Sequence, residues 1–88
     1  MPYVVREFED TPNPNAIKCV LDRPISDGRA SFTSQEAASE HPVASALFEV
    51  RGVANVMLYD DWLTIGREPG ASWRTIRTAV SRVLEALP

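Results

Sequence analysis

One histidine, one cysteine and a scatter of carboxylates are what this sequence offers for chemistry. A nucleophile needs a base beside it, and His41 stands directly before Pro42, where a helix begins. An imidazole there is more simply a helix-entry residue than a general base. Cys19 alternates with Ile17 and Leu21, which makes it a small core residue on one face of a strand. A reactive thiolate wants exposure and positive neighbours, whereas Lys18 must point to the opposite face. No Cys-x-x-Cys, His-x-x-x-His or Glu-x-x-His spacing occurs, so no metal set can be read. Glu7, Glu9 and Asp10 form one acidic group and Asp60-Asp61 another, both most simply solvated charge. Arg74, Arg77 and Arg82 read as the wet face of the last helix, with an anion or partner patch as the lesser alternative. The glycines are scattered and build no phosphate-cradling loop. The expectation is a chain with no catalytic residue, no cofactor and no metal.

The elements that would position these groups follow from periodicity. Residues 3–9 and 16–21 are rich in Val, Ile, Tyr and Phe and predict two strands. Residues 22–32 are turn-rich around Pro24 and Asp27-Gly28 and predict irregular chain. Thr33 and Glu36 have the spacing of a capping box, which predicts a short helical turn through Ala37 and Ala38. His41-Pro42 then starts a helix with Val43, Ala46, Leu47 and Val50 on one face, ended by Gly52. Residues 53–59 and 62–67 predict a hairpin closed by Asp60-Asp61, and a two-residue turn pairs Leu58 with Leu63 and Val56 with Ile65. Tyr59 then pairs with Trp62, and Met57 with Thr64, on the other side. Ser72 caps a last helix whose Trp73, Ile76, Val80, Val83, Leu84 and Leu87 form one apolar stripe.

The order β-β-α-β-β-α predicts an α+β two-layer sandwich: a four-stranded, mainly antiparallel sheet with two helices on one face. The other face then carries Met57, Tyr59 and Trp62. Large amphipathic side chains anchor partners, so these three are the candidate partner-binding residues. The alternative is that residues 22–32 fold over them.

Eighty-eight residues make one domain. A chain of this size buries roughly 60–65% of its unfolded surface, enough to fold with little stability to spare. The composition, 44% hydrophobic and 24% charged, is that of a globular protein. A net charge of −3 argues against nucleic acid or an anionic membrane as partner. No apolar run is long enough to span a bilayer, and the N-terminus lacks the layout of a signal peptide. The single cysteine fits a reducing cytoplasm.

The opening connection is unusual. In T-P-N-P-N-A-I-K, Thr11 to Lys18, Pro12 and Pro14 fix their own φ and restrict Thr11 and Asn13 before them. Asn13 and Asn15 suit turns because their amides bond nearby backbone. The residues read as a stiff structural corner between two strands.

This segment, followed by L-D-R-P-I, S-F-T-S-Q-E-A-A, P-V-A-S-A-L-F-E-V-R-G-V and D-W-L-T-I in that order, resembles the N-terminal domain of Nfu/NifU-type iron–sulfur cluster scaffold proteins. Thr11, Pro12, Asn13, Pro14, Asn15 and Lys18 carry the signature. The resemblance runs from about Thr11 to the end of the last helix and implies an α+β domain linked to iron–sulfur cluster biogenesis. In two-domain members it implies a cluster held by a Cys-x-x-Cys in a separate C-terminal domain. Residues 1–88 contain no such motif, so no cluster ligand carries over. The expectation is a single-domain, non-catalytic binding or adaptor module, unable to hold a cluster alone, whose partner is an iron–sulfur assembly or client protein. Its alternatives are a peptide- or anion-binding module unrelated to clusters, and a small enzyme with a pocket that sequence does not reveal.

Overall fold

The computed structural model describes residues 3–87. Its elements are β1 (Val5–Asp10), β2 (Ala16–Leu21), β3 (Arg29–Phe32), α1 (Pro42–Phe48), β4 (Val53–Tyr59), β5 (Trp62–Arg67) and α2 (Trp73–Ala86). The strands form one five-stranded sheet in the order β1-β2-β5-β4-β3, every neighbouring pair antiparallel.

Strand alternation decides which face is dry. Ile17, Cys19 and Leu21 of β2 are buried beside Leu63 and Ile65 of β5 and Val56 and Leu58 of β4. Both helices lie on this face. Ala44 and Leu47 of α1 and Ile76, Val80 and Leu84 of α2 are buried. α1 packs on β4, α2 reaches β1, and the helices touch each other. Each helix is stopped or started by a specific group. Ser72 Oγ accepts from Thr75 N to cap α2, and His41 Nδ1 accepts from Ala44 N at 3.3 Å to cap α1. After α1 the chain turns at Gly52, whose φ of +98° disfavours an L side chain. A Cβ there would also come within 2.9 Å of the Ala71 Cβ.

The expectation of four strands is corrected: β3 is a fifth, at the sheet edge. Arg29-Ala30-Ser31-Phe32 has no β-branched residue and follows a turn, so its own propensity is weak. Pairing with β4 supplies what propensity does not, setting Ala30 opposite Leu58 and Phe32 opposite Val56 over the dry face. Part of the stretch expected to be irregular is therefore strand, and it extends the sheet beside β4.

The predicted capping box is also displaced. The turn after β3 is capped by Ser34, whose Oγ accepts from Ala37 N at 3.1 Å, and residues 35–40 remain hydrogen-bonded turns. The segment's one fully buried side chain is Ala38, which gives it no apolar stripe to hold a regular helix against the sheet.

The β4–β5 hairpin has the anticipated register, Tyr59 opposite Trp62 and Leu58 opposite Leu63. Its Asp-Asp turn places Asp60 at φ +49°, a conformation Asp tolerates better than most residues. The Asp60 carbonyl accepts from Ile25 N at 2.6 Å and from Ser26 N at 3.3 Å. The segment between β2 and β3 thus clamps the hairpin tip and tucks Ile25 into the core.

Candidate functional site

The sheet face turned away from the helices carries a continuous set of side chains. The register of four strand pairs lines up Glu7, Val20, Trp62, Tyr59 and Arg29 in one row across all five strands. Glu9, Lys18, Thr64, Met57 and Ser31 form the next row. Tyr59 and Trp62 pack as a tilted pair, ring centroids 5.4 Å apart and planes 31° to each other, and the Lys18 ammonium sits 4.8 Å from the Trp62 ring centroid. Lys18 also lies 3.9 Å from a Glu9 carboxylate oxygen. Tyr59 is 40% exposed, one of two large apolar residues so open among the described residues. Met57, Val20 and Trp62 are partly exposed and stand outside the apolar cluster under the helices. Residues 22–32 do not cover them: β3 lies alongside β4, with Arg29 opposite Tyr59. Met57, Tyr59 and Trp62, singled out from the sequence, therefore sit together on one uncovered face. Lys18, Val20, Glu7 and Arg29 were not joined to them from sequence. Period two along β2 marked Lys18 as facing away from Cys19, but only the β2–β5 register puts it beside Trp62.

The opening loop is tied at several points. Thr11 Oγ1 lies 2.8 Å from the Asn13 carbonyl and 2.9 Å from that of Ala16, and it accepts from Asn13 N. Asn13 Oδ1 accepts from Asn15 N at 2.9 Å, and Ala16 N donates to the Asn13 carbonyl at 3.0 Å. The loop is also joined to distant chain. Trp73 Nε1 donates to the Pro14 carbonyl, Arg67 N to the Asn15 carbonyl, and Arg67 Nε to Asn15 Oδ1. The Arg67 guanidinium covers the Trp73 ring at 5.1 Å. The loop's polar groups are thus engaged in holding the end of β5 and the start of α2.

The remaining chemistry-bearing residues are dispersed. Cys19 is fully buried, and burial pushes its thiol up to about 12 from an ordinary value of 9.0, so it stays neutral at physiological pH. His41 uses Nδ1 as a cap and sets its ring against Phe32 at 5.3 Å. Arg77 lies over the Phe8 ring at 5.9 Å, while Arg74 and Arg82 are exposed. The backbone N–H of Val4, then Arg23, hold the exposed Asp22 carboxyl below its ordinary range. Among the described residues no polar or charged side chain is buried, and no three His, Cys, Asp or Glu side chains gather as a metal site. Shallow hollows occur beside Gly52 and Ser72, beside Thr33 and Phe48, and between Thr11 and Trp73.

A family model described as scaffold protein Nfu/NifU N terminal matches residues 5–87. The chain belongs to this Nfu/NifU N-terminal family. The human NFU1 iron-sulfur cluster scaffold homolog, mitochondrial, is 34% identical over 67 residues, covering 75% of this chain and 26% of that protein. The protein of the same description from Drosophila ananassae is 35% identical over 80 residues, covering 89% of this chain and 28% of that one. This Nfu/NifU N-terminal chain therefore spans about a quarter of the length of the curated relatives it matches. The fold is shared with protein SAV1430 from Staphylococcus aureus, at a TM-score of 0.80 and 23% identity, over 93% of this chain and 99% of that one. A NifU-like protein from Saccharomyces cerevisiae matches at a TM-score of 0.78 and 21% identity, over 93% and 76% of the two chains. No helix among the described residues is long and apolar enough to cross a membrane.

Proposed function

We propose that this chain is a non-catalytic docking domain of iron–sulfur cluster assembly. It holds an assembly or client protein on Met57, Tyr59 and Trp62, and it works in a reducing compartment, the cytoplasm. The carrying observation is the Tyr59–Trp62 ring pair, lying on an uncovered sheet face in a member of the Nfu/NifU N-terminal family. Paired aromatic rings offer large contact area at low entropic cost, and such rings dominate the energetics of interfaces. The proline loop keeps a structural role, because its polar groups already serve the β5 and α2 ends. Affinity capture from the native cell with the wild-type chain is expected to retain a protein of cluster assembly or a cluster-requiring client. Retention only of proteins with neither role contradicts the proposal.

The cluster itself is cargo that this chain does not hold alone. A four-thiolate site needs four cysteines, and this sequence has one, buried and with a neutral thiol. Anaerobic reconstitution with iron and sulfide is expected to leave the purified chain without stoichiometric cluster. Bound iron and sulfide in a defined ratio, lost in Cys19→Ala, would show the opposite.

A further inference from the structure

Five strands have a middle, and here it is β5, with two strands on either side. A two-fold axis running along β5, in the plane where two such faces meet, turns each row of the open face end for end. Glu7 at the β1 end of one copy then meets Arg29 at the β3 end of the other, and this happens twice. Val20 meets Tyr59, also twice, and Trp62 meets its own copy at the axis. In the second row Lys18 lies against Met57 and Glu9 against Ser31, with Thr64 at the axis. No like charges are opposed in either row. Glu7 and Arg29 are both exposed, and among the described residues neither has an ion-pair partner within the chain.

We propose that the occupant of this face, when the chain is alone, is the same face of a second copy. An isologous contact requires a patch complementary to itself, and a row acidic at one edge, aromatic at the centre and basic at the other meets that condition. Face-to-face sheets pack with their strands turned by about −30°. A two-fold shares that turn equally between the copies, within reach of the long Glu7 and Arg29 side chains. The size of the face sets the strength. Strands ~4.8 Å apart and ~3.3 Å long per residue give a face roughly 20 Å on a side, which is below the ~800 Å² per partner of a stable complex. Self-association is therefore weak, with a Kd in the range of roughly 10 μM to 1 mM. It gives way to a tighter partner. The inference needs only the chain itself and does not rest on which protein it serves.

Sedimentation equilibrium of the purified chain, loaded across that range and at low and high salt, reads the dimer directly. Glu7→Arg alone and Arg29→Glu alone are each expected to weaken it by about fivefold or more, because each reversal opposes like charges at two places. The double variant is expected to regain wild-type self-association, and Trp62→Ala to abolish it. Both charged sites are exposed, so the variants keep the fold, which a thermal melt checks. A chain that stays monomeric throughout, while Trp62→Ala still loses the captured protein, leaves the face to a different partner alone and overturns self-association. Dimers indifferent to the single reversals, or not restored by the double one, use another surface and overturn it equally.

Discussion

Replacing Trp62 by alanine is expected to weaken capture of the partner by at least about tenfold while leaving the domain folded. Interface hot spots are enriched in Trp and Tyr at the centre of the contact, and here Trp62 lies on the middle strand with the Tyr59 ring packed beside it. Losing the indole removes a contact to Tyr59 worth about 0.5–1.5 kcal/mol and a contact to Lys18 worth about 0.5–1 kcal/mol. A chain of 88 residues has roughly 4–13 kcal/mol of stability, so the variant stays folded at ordinary temperature. Binding is measured by titration with the captured partner, and folding by circular dichroism on the same sample. An affinity within twofold of wild type would remove Trp62 from the interface.

The residue next to it should behave in the opposite way. Leu63 follows Trp62 along β5, points to the dry face and has no exposed surface. Leu63→Ala leaves a cavity in the buried core beside Cys19 and Leu58 and is expected to cost about 2–5 kcal/mol. That is a large share of the whole stability, and the urea midpoint should fall accordingly. If enough folded protein remains, its affinity for the partner should be near wild type. A loss below about 1 kcal/mol would mean that the dry face of this strand is not packed as described.

Much of this arrangement was legible in the residues. The bounds of β2, β4 and β5 follow from alternation flanked by turns, and the hairpin register follows from a connection of two residues. Ser72 and the apolar stripe after it define α2. Two features were not legible, for physical reasons. β3 is strand because β4 offers it a ladder, and Arg29-Ala30-Ser31-Phe32 alone carries little preference. The turn after it uses Ser34 where Thr33 has equally suitable chemistry, and local sequence does not choose between adjacent hydroxyls. For the candidate site, the hairpin alone placed Met57, Tyr59 and Trp62 on one side. Lys18 reaches Trp62 only through the pairing of β2 with β5, a contact between segments far apart in sequence. The tie from Trp73 to Pro14 spans 59 positions and is equally invisible to periodicity.

The open sheet face is expected to bind the partner and the proline loop to hold the fold. The direct test compares two variants against one captured partner, by the same titration: Trp62→Ala, and Pro12→Ala combined with Pro14→Ala. The double variant keeps the backbone carbonyl that accepts from Trp73, but it frees a chain that two prolines restrict. It is expected to lose about 1–2 kcal/mol of stability, and to bind like wild type at a temperature where it is folded. Trp62→Ala is expected to bind at least about tenfold more weakly. If instead the proline variant loses binding at unchanged stability while Trp62→Ala binds normally, the loop is the site and the sheet face is not.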